Sequence, residues 1–381
     1  MDLSSEMIHS LLPVFLVSVL GTSAGALGLI EGVAEGTAST AKVFSGVWSD
    51  RLGRRKPLVV FGYGLAACMK PLFPLASGAG SVLFARFADR LGKGIRGAPR
   101  DALVADVTPP NQRGAAYGLR QSLDTLGAVL GPLVAIALMA VFFVDIRTVF
   151  WIAVLPAWIA VALLFFGIDE PTTHADGRPQ RALPHWRDLK QLNAAYWSVV
   201  VIGAVFKLAR FSEAFLVLRA HDAGLALAWT PLVLVVMNLT YVASAYPAGK
   251  LSDRIGRIGL LLGGLALLIV ADVILALSTH LVATLGGIAM WGLHLGLTQG
   301  LLSALVADTA PESLRGSAFG VFHLVGGVAT LAASLIAGLL WEAAGPSATF
   351  FAGAVCATLA LIGLAWWQNR FAADPSTRRN S

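Results

Sequence analysis

Six ionisable residues, Arg86, Asp89, Arg90, Lys93, Arg96 and Arg100, recur at intervals of three or four apart from the adjacent pair Asp89 and Arg90. On a helix of about 3.6 residues per turn those intervals align them on one face. Five are cationic and one is anionic, so the face suits an anionic group, with Asp89 as a partner or a proton carrier. Interhelical salt bridges that bias one conformational state over another are the alternative use of the same stripe.

Further ionisable groups stand in equally apolar stretches: Glu6; Glu31, Glu35 and Lys42; Lys70; Arg120 and Asp124; Lys207, Arg210 and Glu213; and Asp272. A carboxyl removed from water holds its proton more tightly and a neighbouring Arg or Lys loosens it. An acid whose partner moves during a conformational switch can therefore load and release a proton near neutral pH. Glu213 with Arg210 and Glu31 with Glu35 are the best-spaced candidates, and a static ion pair is the competing reading of each. Lys70 precedes Pro71 near an expected helix disruption, and Asp272 is expected on an outer helix, so both carry little functional weight. His294 and His323 are expected as polar wall or buried hydrogen-bonding groups, because no second His, Cys or acid stands at metal-ligand spacing beside either. No phosphate-cradling loop or nucleophile elbow appears, which argues against an ATP-driven pump and against an enzyme.

Composition dictates the elements that hold these groups. Of 381 residues, 56% are apolar and only 13% charged, about half the charged share of a soluble domain, which rules out a soluble enzyme. Apolar runs fall at roughly 7–20, 25–46, 57–76, 81–105, 114–141, 148–168, 194–218, 226–247, 259–279, 281–307, 316–341 and 347–368, twelve in all. In a bilayer, where an unpaired backbone amide finds no water, such runs must be helices. At about 1.5 Å per residue, Arg86 to Arg96 then lie about 8 to 22 Å deep in a hydrocarbon slab of about 30 Å. A lipid-facing charge there costs several kcal/mol, so the stripe is expected to face protein or water.

Alternate connections divide Lys and Arg unevenly. One set carries sixteen, including Arg51, Arg54, Arg55, Lys56, four in 169–193 and the tail's Arg370, Arg378 and Arg379; the other carries only Arg147 and Arg219. The rich set is expected on the cytoplasmic side, together with both termini. The net charge of +6 then reports topology rather than nucleic-acid binding. Cys68 and Cys356 lie in apolar stretches and supply neither a disulfide frame nor a metal knuckle. No cleavable leader is expected, because the first apolar run lacks a basic start.

The chain repeats itself. A-L-V-A-D at 102–106 returns at 304–308, and the same offset of 202 carries Arg113-Gly114 onto Arg315-Gly316; S-D-R-L-G-R at 49–54 returns as S-D-R-I-G-R at 252–257. Two six-helix halves are expected at 1–168 and 194–369, joined by the polar linker 169–193 and followed by a cytoplasmic tail, 370–381. The repeat is also an internal control. At the positions matching the charged stripe, the tenth run has Ile288, Trp291, Gly292, Leu295, Thr298 and Leu302, so maintenance of the fold alone does not demand the charges.

The segment G-V-W-S-D-R-L-G-R-R-K at 46–56, in a turn after the second span with a weaker copy after the eighth, resembles the hallmark loop of the major facilitator superfamily. S-S-E-M at 4–7, G-L-I-E-G at 28–32 and D-R-L-G-K-G-I-R-G-A-P-R-D at 89–101 resemble a bacterial permease group within it. The resemblance covers essentially the whole chain. It implies an all-α integral membrane fold of twelve transmembrane helices in two pseudo-symmetric halves, with helices 1, 4, 7 and 10 lining a cavity that opens to each side in turn.

The resemblance also implies a gating loop of Gly46, Asp50, Arg51, Gly53, Arg54 and Arg55, echoed by Asp253 and Arg254, with Asp106 and Asp308 at the ends of helices 4 and 10. In it Asp50 would face the positive N-terminal end of helix 11, near Ser313 to Gly316, and Arg54 or Arg55 would reach Asp106. A carboxylate so placed gains roughly 0.3–1 kcal/mol. In helix 5, Gly118, Gly127, Gly131 and Pro132 resemble the superfamily's antiporter motif, although Ala135 and Ile136 replace its last two glycines; the spacing permits close helix contact and a bend. One departure stands out. Ser212-Glu213 lies well into the seventh run, whereas its counterpart Ser5-Glu6 has four residues before it. The first helix is therefore expected to lack its cytoplasmic half, through a misassigned start codon or a shortened helix.

The expected function is secondary active transport: proton-coupled efflux of a small anionic or amphipathic organic compound by alternating access. Proton-coupled uptake of an anionic metabolite or chelate is the second reading, and a non-transporting sensor or scaffold the third. Substrate or proton-coupling contacts are expected from Glu6, Glu31, Glu35, Arg86, Asp89, Arg90, Lys93, Arg96, Asp124, Arg210 and Glu213. A proton gradient is expected in place of any cofactor or metal, with a small-molecule substrate, the lipid bilayer, no nucleic acid, a monomeric state and a bacterial inner-membrane location.

Overall fold

The computed structural model describes residues 1–52, 55–107, 113–167, 192–255, 257–298, 302, 305–306, 309–310 and 315–372. Among them the regular elements are all helical: α1 (Asp2–His9), α2 (Leu12–Val14), α3 (Ala24–Leu52), α4 (Lys56–Met69), α5 (Leu72–Leu75), α6 (Ala79–Val107), α7 (Arg113–Ile136) and α8 (Ile146–Gly167). After them come α9 (Ala194–Ala209), α10 (Ala214–Asp222), α11 (Leu232–Ile255), α12 (Arg257–Leu277), α13 (Leu281–Thr298), α14 (Arg315–Ala344) and α15 (Pro346–Trp367). Gly46, Asp50, Arg51, Gly53, Arg54, Asp106, Gly118, Asp253, Arg254, Asp308, most of the 169–193 linker and the tail beyond 372 lie outside the described residues or side chains.

Three spans are interrupted, each for its own reason. Span 1 steps from α1 to α2 at Ser10–Leu11, just before Pro13, which sits in the first turn of α2. Proline is pre-organised for that position and cannot donate the hydrogen bond that would continue α1. Span 3 breaks where Lys70 meets Pro71. Span 7, expected as one run from 194 to 218, is instead broken at Arg210, whose φ of −111° and ψ of 73° leave the helix; α10 resumes at Ala214. With these pairs joined, the described helices form twelve spans.

Nine of these spans are long and apolar enough to cross a membrane by length and composition. The three that fall short are α3, α6 and the α9–α10 pair. They carry Glu31 and Glu35, the six-residue stripe, and the Arg210–Glu213 break. In α3 and α6 the shortfall is one of apolar composition, and in the α9–α10 pair it is one of helix length, set by the break.

Contacts divide the chain into one unit of Met1–Leu183 with Leu225–Val235 and another of Pro184–Gly224 with Val236–Ser381. In the first, α3 and α4 pack on α6, and α1 packs on α7 and α8. Small residues let these backbones approach: a Cβ on Gly62 would come 2.7 Å from the carbonyl oxygen of Gly92. In the second, α12 packs on α13 and α15, and α9 on α14 and α15.

The two arginines of the Lys- and Arg-poor connections have structural work of their own. Arg147 donates from Nη1 to the carbonyls of Pro74 and Ala76, at the end of span 3, and lies over the Phe15 ring. Arg219 donates from Nε to Leu275 O at 2.8 Å and from Nη2 to Ser278 O, at the end of α12. Each guanidinium satisfies carbonyls that a helix terminus leaves without partners.

Candidate functional site

The first unit collects charge along one face of α6. Arg86 grips Glu31 of α3 with two hydrogen bonds, Nε to Oε1 at 3.2 Å and Nη2 to Oε2 at 3.0 Å, with the two side chains only 2% and 1% exposed. One turn further on, Arg90 Nη1 meets Glu35 Oε1 at 3.3 Å. Asp89 pairs with Lys70 of span 3 at 3.0 Å, and the same ammonium donates to Ser5 Oγ of α1 at 3.0 Å. Arg96 lays its guanidinium over the Tyr63 ring, 4.3 Å from the centroid, and Arg100 reaches Asp101 at 3.3 Å and Asp124 of α7 at 3.7 Å.

The stripe is sealed over most of its length and opens at Lys93. Arg86, Asp89, Arg90 and Arg96 are buried, while Lys93 is exposed and the Glu35 side chain is 40% exposed. Lys93 lies within electrostatic reach of Glu35 and Glu6. Arg86 and Asp89, expected as wall groups open to a solute, are closed off by Glu31 and Lys70 in this conformation.

Two expected pairings take their own form in the fold. Glu31 and Glu35 are each matched by their own arginine on α6. Arg210 and Glu213 do not share one helix turn; they stand in and beside the break between α9 and α10. Lys70, given little weight from sequence, turns out to be the partner of Asp89.

One member was missed. His9 of α1 points Nδ1 at Glu6 Oε2, 3.5 Å away, and Nε2 at Glu31 Oε2, 3.7 Å away. It bridges two carboxylates from different helices, with Arg86 on the far side of one. The i, i+3 spacing of Glu6 and His9 was the available signal, since such positions share a helix face. A second signal lay in matching intervals. Glu31 and Glu35 are spaced as Arg86 and Arg90 are, and both pairs form at a separation of 55 residues, as two spans running in the same direction allow.

The α7 glycines place α1 within this network. A Cβ on Gly131 would come 2.7 Å from Glu6 Cβ and 2.8 Å from Leu3 O, and one on Gly127 would come 3.1 Å from Asp2 Cβ. Without side chains at 127 and 131, α1 lies close enough for Glu6 and His9 to meet Glu31.

In the second unit, Arg210 lies over the rings of Phe206 and Trp291, 5.9 Å from each centroid, with Glu213 in electrostatic reach. His294 is fully buried and its Nδ1 meets Gly264 O at 2.7 Å, a buried hydrogen-bonding role. Among the described residues no group of three His, Cys, Asp or Glu is placed to hold a metal ion.

A sequence profile described as Major Facilitator Superfamily matches residues 1–236 and 214–380. The chain is 32% identical over 370 residues to an uncharacterized MFS-type transporter of Methanocaldococcus jannaschii, covering 94% of this chain and 89% of the relative. It is 27% identical over 326 residues to the multidrug resistance protein MdtH of Edwardsiella ictaluri, covering 83% and 78%. Among solved structures it resembles the nucleoside transporter NupG, with a TM-score of 0.76 at 11% identity over 98% of this chain and 96% of that one. It also resembles the human organic anion transporter MFSD10 (TETRAN), with a TM-score of 0.67 at 19% identity over 95% and 96%. At those identities the two structures speak for the fold alone. Sequence profile, relative and fold agree: this chain is a member of the major facilitator superfamily, a family of membrane transporters and not of enzymes.

Proposed function

We propose that this transporter exports a small anionic or amphipathic organic compound in exchange for protons, and that the charged network of the first unit couples the two movements. The observation that carries the reading is the set of cross-helix pairs Glu31–Arg86, Asp89–Lys70 and Glu35–Arg90. Buried ion pairs are poor stabilisers compared with apolar packing of the same volume, and the matching positions of α13 do without them. Their use is then in switching: a carboxylate trades its cation for a proton when the helices shift, and the cation is released to a solute. Lys93 and Arg90 supply the positive wall, with Glu35, Glu6 and His9 beside it. Efflux is favoured by the likeness to a relative named for multidrug resistance and by the close α1–α7 packing at Gly127 and Gly131.

In this reading the protein works as a monomer in a bacterial inner membrane, with both termini cytoplasmic and halves at 1–168 and 194–369. The Asp50 loop latches the inward-closed state.

A thermal-shift screen against metabolite and antibiotic collections supplies ligands. Proteoliposomes with an imposed pH gradient then test the coupling. Antiport accumulates the ligand on the acidic side; accumulation on the alkaline side would establish symport instead, and no flux beside normal binding would mark a non-transporting protein.

A further inference from the structure

Asp272 of α12 lies at the centre of the second unit's packing. It is 0% exposed, and neither carboxyl oxygen has a hydrogen-bond partner among the described residues. The Trp291 indole of α13 lies beside the carboxyl and is the donor nearest to it. Against the other side stands Gly353 of α15, where a Cβ would come 2.7 Å from Asp272 Oδ2 and 2.9 Å from Phe211 Cε1. The carboxyl occupies the space that any larger residue at 353 would need. Phe211 belongs to the break between α9 and α10, so the ring that closes this pocket is carried by the interrupted stretch of span 7.

The titratable and charged groups on the surrounding elements do not neutralise a carboxylate here. From α15 the neighbour is Cys356. On α13, one turn from Trp291, the titratable group is His294, whose ring is engaged by Gly264 O. From the break it is Arg210, on the Trp291 ring, with Glu213 and Tyr241 in its own reach. No Lys, Arg or His forms an ion pair with Asp272 among the described residues. A carboxylate buried from solvent and without a paired cation, with one indole N–H beside it, loses several kcal/mol of solvation or more, whereas the neutral acid loses about what a hydroxyl would.

We propose that Asp272 is a proton-binding site of the second unit, carrying a proton in this conformation and releasing it when the α9–α10 break moves Phe211 away. On release the carboxyl O–H bond breaks, the proton passes to water admitted beside Phe211, and the charge left on Asp272 is met by Arg210 from the same break. The site lies in another unit from the network of α1, α3 and α6, and its use in transport rests on the proton-coupled reading; its occupancy does not.

The test is infrared spectroscopy of the purified protein in lipid vesicles with no transport ligand added. Protein made with heavy-carbon aspartate should show an isotope-shifted carboxylic-acid C=O band at neutral pH, and that band should be lost in Asp272→Asn. Absence of the shifted band in the wild type, or its survival in a folded Asp272→Asn protein, overturns the assignment. Phe211→Ala uncovers the pocket without touching the acid and should speed hydrogen–deuterium exchange of the band several-fold; exchange at the wild-type rate refutes release through the break. Because neither measurement involves flux, a negative result here leaves the coupling reading standing, and failed antiport leaves this site standing.

Discussion

Removing Arg86 gives a sharp test of the first unit's network. Arg86→Met keeps the length of the side chain and its apolar stem but takes from the Glu31 carboxylate, 1% exposed, the guanidinium that holds it with two hydrogen bonds, leaving the His9 ring at 3.7 Å. Breaking a buried pair from one side costs about 3–5 kcal/mol, because the surviving charge is stranded. For a unit of this size that corresponds to a melting-point drop on the order of 10 °C. Glu31→Gln on its own strands the guanidinium and should cost a similar amount. The double variant has no stranded charge and should recover most of the loss, leaving an interaction energy of about 2 kcal/mol or more between the sites. Thermal melts of the four proteins in one detergent supply the cycle. A drop under about 2 °C for Arg86→Met would correspond to less than ~1 kcal/mol, and would refute the reasoning that this pair is dry. Transport completes the test, since a merely structural pair leaves the double variant fully active while a coupling pair leaves it folded but unable to use a pH gradient.

Lys93→Ala removes an exposed cation, so stability should stay within about 0.5 kcal/mol while binding of anionic ligands weakens; unaltered ligand binding in a thermal-shift titration would take Lys93 out of the solute wall. Gly131→Val forces apart α1 and α7, where even a Cβ would come 2.7 Å from Glu6 Cβ, and overpacking of this kind costs about 1–3 kcal/mol. A wild-type melting point for that variant would contradict the close approach. Arg219→Ala strips the end of α12 of its donors and should lower stability by about 1.5–3 kcal/mol, leaving membrane orientation unchanged in cysteine-accessibility mapping. His9→Gln should flatten the pH dependence of flux while ligand exchange without a gradient persists, whereas a pH profile like the wild type's would remove His9 from the coupling path.

The spans were legible because the hydrocarbon core imposes one rule on every residue in it, that backbone groups pair within the segment, and apolar runs obey it visibly. The break at Lys70 was legible too, since Pro71 cannot extend α4. The break at Arg210 was not: Arg210-Phe211-Ser212-Glu213 contains neither proline nor glycine, the residues that announce interruptions. The site divides in the same way. Spacing put six residues on one face of α6, a property of a single helix, but which acid meets which base depends on the register between helices. That is why Glu31 was grouped with Glu35 rather than with Arg86, and why His9 passed unnoticed in an apolar run. Burial was equally invisible for Asp272, because a helix position gives no measure of what the neighbouring helices leave room for.

The two units start from related sequences and treat charge in different ways. In the first, the described carboxylates of α3 and α6 that are sealed from water, Glu31 and Asp89, each have a cation from another helix. In the second, the counterpart of α6 is uncharged at the matching positions, and Lys207, Arg210 and Glu213 stand instead around a helix that stops and restarts. A repeat whose only task was to fold would gain from having the same solution twice. Its halves diverge at α3 and α6, which are too polar for a plain membrane helix, and at the α9–α10 break, where a span is cut short. Such spans are tolerated only if their polar groups are partnered inside the protein, and partners that can be exchanged are what a moving transporter requires. On this argument the first unit exchanges ion pairs and the second exchanges cover over a buried acid, so substitutions that lock either device should trap one conformation without unfolding the chain.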